Sequence, residues 1–123
     1  MTAPPLRQQD LIPEMVRWVP AVGQSNPSAT TATTLYTCPV QRFVRGRVLV
    51  ANLSTATTFR LALRPLAAAL ANAHYIVYEA PISAGETLHT VELFLSPTDV
   101  LTVYAGSANM SFTFNGYSEP KDT

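Results

Sequence analysis

The run Thr58–Pro65, "TFRLALRP", places Phe59, Leu61 and Leu63 on one side, Arg60, Ala62 and Arg64 on the other, and stops at a proline. Alternation with a period of two is the signature of a strand with one buried face, because successive side chains of a strand point in opposite directions. The same rhythm recurs from Leu35 to Tyr117: "TLYTCPV", "FVRGRVLVAN", "HYIVYEA", "TLHTVELFL", "DVLTVYAG" and "MSFTFNGY", separated by the turn-forming "STAT", "SAGE", "SPTD" and "SAN". That makes about seven strands at a spacing of about eight to twelve residues, the pattern of an all-β protein. One such sheet would leave its apolar face in water, so two must pack face to face. The expected fold is an antiparallel β-sandwich, Ig-like or jelly-roll-like. Gly46, inside the longest run, predicts a bulge or a close backbone approach. Only "LAAALANA", after Pro65, has the composition for one or two helical turns.

The first 32 residues differ. They hold five of the ten prolines, Pro4, Pro5, Pro13, Pro20 and Pro27, and proline neither donates to a ladder nor sits inside a helix. "QSNPSATTAT" reads as a polar linker. Between the prolines, "LIPEMVRWVPAV" carries Leu11, Ile12, Met15, Val16 and Trp18. Burying an aromatic of that size removes ~150–250 Å² from water, worth ~4–6 kcal/mol before ordering costs. These five residues are the expected docking arm, seated on a neighbouring subunit or folded back on their own domain. The expected organisation is an extended arm and linker over 1–32, a sandwich over 33–119 and a tail over 120–123.

Charge says what surrounds the sandwich. Only 13% of residues are charged, against 47% hydrophobic, whereas an ordinary domain carries about 25% charged residues. Such a surface suits burial against other proteins. The net charge is zero, which gives no global field to draw in nucleic acid or an anionic membrane. Cys38 is the single cysteine, so no intrachain disulfide forms. The opening "MTAPPLRQQD" lacks the basic start and apolar run of a signal peptide, and no apolar stretch is long enough to cross a bilayer. The triplets at Asn52 and Asn109 match the glycosylation pattern; without a sign of secretion they read as coincidence.

Candidate chemistry is sparse. His74 with Glu79, or His89 with Glu92, are the imaginable acid–base pairs, but the strand period accounts for both histidines and no spacing forces them into one cleft. There is no zinc-ligand spacing and no Gly-rich phosphate loop. No catalytic residue, metal or cofactor is expected, and the protein is read as a non-enzyme. Arg42, Arg45, Arg47, Arg60 and Arg64 fall on two consecutive strands. If those strands pair, Arg45, Arg47, Arg60 and Arg64 form a basic stripe for docking on an acidic partner surface. Tyr36, Tyr75, Tyr78, Tyr104 and Tyr117 are expected mostly inside; exposed, they would line a sugar-binding groove.

Taken together, "VLVANLSTATTFRLALRP" and "HYIVYEAPISAGETLHTVELFLSPTDVLTVYAGSANMSFTFNGYSE" resemble a β-sandwich module of tailed-bacteriophage virion proteins, including phages of cyanobacteria and marine bacteria. That module has the form "CNRSxxATFRIAxRP", then "HYIxYDxxIxANDT", then "TDVIxVYxSTAxxSFxxFGSE". The matching residues include Asn52, Ser54, Thr58, Phe59, Arg60, Arg64, Pro65, His74, Tyr75, Tyr78, Thr98, Asp99, Val100, Tyr104, Ala105, Ser111, Phe112, Gly116 and Glu119. The chain departs from it at "LAAAL" and "SAGE", and the segment before residue 33 is not covered. The resemblance implies a structural component of a virion, docked on a repeating capsid, tail or fibre surface. Its implied partners are other virion proteins and copies of itself, as a homo-oligomer with a trimer the first expectation. The zero net charge argues separately against a membrane or nucleic-acid partner. The alternative is a carbohydrate-binding receptor-recognition module of a tail fibre or spike.

Overall fold

A computed structural model describes residues 19–121. They form nine strands: β1 (Val19–Ser25), β2 (Thr33–Thr37), β3 (Arg42–Asn52), β4 (Thr57–Arg64), β5 (Tyr75–Ile82), β6 (Thr87–His89), β7 (Leu93–Leu95), β8 (Val100–Ala105) and β9 (Met110–Pro120). One antiparallel sheet, sheet A, runs β1-β9-β3-β6, with β7 on the same edge of β3 as β6. The other, sheet B, runs β2-β8-β4-β5. If β6 and β7 count as one interrupted strand, each sheet has four strands. The chain changes sheet at nearly every connection, which makes this a jelly roll of the two expected sandwich types.

The core is what the alternation predicted. Val48 and Val50 of β3 with Phe112 and Phe114 of β9 face Phe59 and Leu61 of β4 with Leu101 and Val103 of β8. The rings interlock across the layers: Tyr36 stacks on Phe114 at 4.9 Å, and Phe59 meets Phe112 edge-on at 6.2 Å. Gly46 and Gly116 are directly paired on β3 and β9. A Cβ at either would strike the partner backbone, so Gly46 marks a close approach of strands.

The expected arm and linker extend too far: the sandwich starts before residue 33. β1 lies inside residues 1–32, yet it pairs along its whole length with β9, from Val19↔Ser118 to Ser25↔Phe112. Residues 19–25 therefore belong to the sandwich. Pro20 is tolerated because β1 is an edge strand, where a missing N–H costs no ladder bond. The docking residues Leu11, Ile12, Met15, Val16 and Trp18 lie outside the described residues.

Two other expectations shift. "TLHTVELFL" is broken: Val91 and Glu92 loop out between β6 and β7, and Thr90 bridges the gap by accepting the Val48 N–H through Oγ1 at 3.1 Å. "LAAALANA" holds no α-helix, only single 3₁₀ turns at Pro65–Ala67 and Asn72–His74. Asp99 anchors the first of them by accepting the Leu66 and Ser96 N–H groups. Among the described residues no helix is long and apolar enough to cross a membrane.

Candidate functional site

The two long sides of the sandwich are built differently. At the β1/β2 side the sheets nearly touch: a Cβ on Gly23 would strike the Leu35 carbonyl. At the β5/β6 side they stand apart and leave an apolar slot of ≈ 320 Å³. Its floor is Val50 and Phe59; its walls are Ile76 and Val77 from β5 and Leu88 and Val91 from the β6 side. Ile76 is 43% exposed and Val91 76%.

Local irregularity keeps that side open. β5 carries extra residues at its pairing with β4, between Phe59↔Ala80 and Leu61↔Val77 and again before Ala62↔Tyr75. Glu79 sits at φ 52°, a left-handed conformation that a non-glycine residue holds only where neighbours fix it. They do: Glu79 accepts from Thr58 Oγ1 at 3.0 Å and is ion-paired to Arg60. The Arg60 guanidinium first, and the Thr58 hydroxyl second, hold its carboxyl below the usual range. The turn after β5 is pinned by a buried side chain. There Asn52 Nδ2 donates to the Thr55, Ile82 and Ser83 carbonyls and Oδ1 accepts the Ser54 N–H. At 1% exposure, Asn52 is a staple inside the fold, not a glycan acceptor.

Each outer face carries an arginine between aromatic rings. On sheet A, Arg45 is paired with Tyr117 on β9 and with Phe94 on β7, and its guanidinium lies 5.1 and 5.9 Å from those rings. Phe43 continues this face, and Phe94 is 65% exposed. A shallow groove of ≈ 270 Å³ runs between Phe43, Phe94 and Tyr117. On sheet B, Arg60 lies 4.1 Å from Tyr104 and 4.5 Å from Tyr78, and Tyr75 meets Tyr78 edge-on at 5.0 Å.

The basic stripe does not form. β3 and β4 are consecutive but belong to different sheets, so Arg45 and Arg47 lie on one outer face and Arg60 and Arg64 on the opposite one. Arg64 is a strut: it donates to Thr102 Oγ1 at 3.1 Å and to the Ala68 carbonyl at 2.8 Å, strapping the 65–74 loop to sheet B. The tyrosines also depart from expectation. Tyr36 is the inward one; Tyr75, Tyr78 and Tyr104 gather on the outside of sheet B.

Among the described residues neither histidine is hydrogen-bonded to a carboxylate. His74 Nδ1 accepts the Ala71 N–H at 3.1 Å and shapes a turn, while His89 Nδ1 lies 3.2 Å from the Thr90 carbonyl. Among the described residues no three His, Cys, Asp or Glu side chains come together as a metal site. Cys38 is 1% exposed, and burial first, then the nearby Asp99, pushes its thiol up to about 11. The features sequence reasoning missed are Phe43, Phe94, Ile76 and Val91. Nothing in the period-two pattern singles them out, and only the sheet order shows them as surface.

No family model matches the chain, and no curated protein matches it. Among solved structures it is similar to a chain from Bacillus endospore appendages, described as a novel family of disulfide-linked pili. The TM-score is 0.58 and the identity 11%, over 85% of this chain and 88% of that one. At that identity the likeness is one of fold: an all-β architecture shared with a structural protein. It carries no bacteriophage assignment.

Proposed function

We propose that this chain is a non-enzymatic subunit of a repeating surface assembly made with copies of itself. The observation that carries this reading is the outer face of sheet A, where Phe43, Phe94 and Tyr117 surround Arg45 in the open. Aromatic and arginine side chains are the types enriched in protein interfaces, and contiguous exposed apolar surface marks an interaction site. The shared fold with an appendage protein agrees with this reading. The disulfide linkage of those pili does not come with it. The chain has one cysteine, and that thiol is buried and protonated, so its contacts are non-covalent. The narrower placement in a bacteriophage virion, at capsid, tail or fibre, rests on the sequence resemblance, and trimeric symmetry on that alone.

Sedimentation velocity over a concentration series, with electron microscopy of the fastest species, tests the reading. Association that weakens in the double variant Phe43→Ser, Phe94→Ser is the expected result. A monomer at every concentration up to the solubility limit would remove it.

A second reading has its own observation. Half-buried Tyr75 and Tyr104 and the 59% exposed Tyr78 gather around Arg60 as a ring cluster of the kind on which a sugar stacks. Glycan binding lost in Tyr78→Ala, with self-association intact, would favour a carbohydrate-recognition module instead.

A further inference from the structure

We propose that the apolar slot between β5 and β6 receives the Leu11–Trp18 segment of a second copy of this chain. This rests on the reading of the chain as a self-assembling subunit and names the acceptor site for it.

The slot is a cavity left open by the fold. Two edge strands of a sandwich normally meet or are covered, because an open edge exposes both core and ladder groups. Here the β1/β2 side meets and the β5/β6 side does not. Apart from His89 and Thr90 on the β6 side, its lining is apolar from the Val50 and Phe59 floor to the Ile76 and Val91 rim. A volume of ≈ 320 Å³ suits an indole and a neighbouring aliphatic side chain, not a folded partner.

The chain supplies such a segment. Five of the eight residues from Leu11 to Trp18 are large and apolar, and Trp18 is the only tryptophan. Reach decides whose slot it enters. Val19 starts β1 on the far edge of sheet A, opposite Ser118; the slot floor at Val50 lies opposite Phe112, six residues further along β9. Crossing from β1 to β6 takes three strand spacings of ~4.8 Å, and six residues along a strand take ~20 Å, so the direct line is roughly 25 Å through the protein. Trp18 is within ~4 Å of Val19, and Val16 within ~11 Å. Leu11 reaches ~29 Å only along a straight line, which the sheet itself blocks. The segment cannot fill its own slot.

Donor and acceptor therefore lie on opposite sides of one subunit. Such a contact is heterologous: each copy gives to one neighbour and receives from the other, closing into a ring or extending as a filament. The link is tethered, so the weaker face contacts beside it act at high effective concentration.

Trp18 reports directly. In the full chain, dilution should shift its emission to the red and open it to acrylamide, in step with dissociation seen by sedimentation. Ile76→Glu and Val91→Glu place a charge at exposed rim positions, where folding survives. Each should raise the half-assembly concentration roughly 10- to 100-fold and leave Trp18 exposed, with the far-ultraviolet β spectrum unchanged. A slot-blocked Ile76→Glu chain mixed with a Trp18→Ala chain should give heterodimers and nothing larger. Association that persists with Trp18 exposed, or that ignores both glutamates, overturns the slot while leaving self-assembly standing. Trp18 buried at all dilutions in a monomer overturns it through intrachain docking. A monomer with Trp18 exposed ends both readings.

Discussion

The β1/β2 side and the β5/β6 side of this sandwich start from similar material and end in opposite states. Both are edges of four-stranded sheets, and both present aliphatic residues inward. The first closes because Gly23 lets the β2 backbone pass where a side chain would stand, and because Tyr36 reaches across to stack on Phe114. The second stays open because bulges at Ile76 and Glu79 bend β5 and the Val91–Glu92 loop breaks the strand opposite. Closure is thus set by single backbone positions, not by hydrophobic content. The open side keeps apolar surface that a closed sandwich would have consumed internally.

The largest test falls on the closed side. Phe114 is fully buried beneath Tyr36. Phe114→Ala should cost ~3–5 kcal/mol in urea unfolding, the usual penalty for emptying a phenylalanine site in a core. Gly23→Val comes next. Its side chain meets the Leu35 carbonyl, so it should either cost ~1–3 kcal/mol or force the edges apart. If Gly23→Val is neutral, the sheets do not meet there and the contrast between the two sides dissolves.

A third test uses pH. The Cys38 thiol titrates near 9 when unfolded and is raised to about 11 in the fold by burial and by Asp99. The folded state prefers the neutral thiol, so its contribution is fully present below pH 9 and is lost as pH rises through 11. Wild-type stability should fall by about 1 kcal/mol between pH 9 and pH 10, and Cys38→Ala should flatten that slope. Tyr36, raised chiefly by the same burial, adds a loss of the same sign at higher pH. A slope identical in the two proteins would show that solvent reaches the thiol.

Much of this was legible in the sequence. The alternation of Phe59, Leu61 and Leu63 and of Val48 and Val50 identifies the core and the two-layer fold, because an apolar period-two face has to be covered by a second layer. What stayed hidden depends on tertiary choices. Pro20 reads as a breaker, but an edge strand needs no proline N–H, and the close approach that requires Gly23 exists only once the two sheets are packed. The arginine stripe assumed that consecutive strands pair, which holds roughly two-thirds of the time; in a jelly roll β3 and β4 part. Tyr75 and Tyr78, three residues apart, share the outer face of sheet B because extra residues in β5 break the period of two. Phe94 and Val91 look like core in sequence because composition cannot distinguish a residue that faces its own sheet's partner from one that faces another molecule.

The smallest effect is the most discriminating. Ile76 is as aliphatic as any core residue, yet it stands on the rim of the open slot. In a dilute, dissociated sample Ile76→Ala should change unfolding stability by no more than ~0.5 kcal/mol, as for an ordinary surface substitution. In the associated state the same change removes an apolar wall and should weaken assembly. A residue whose truncation leaves the monomer alone and loosens the complex is an interface residue by its energetics. If instead Ile76→Ala costs ~2–5 kcal/mol in the monomer, the range for truncating a buried aliphatic, the slot is closed in solution. The two sides of the sandwich would then be equivalent after all.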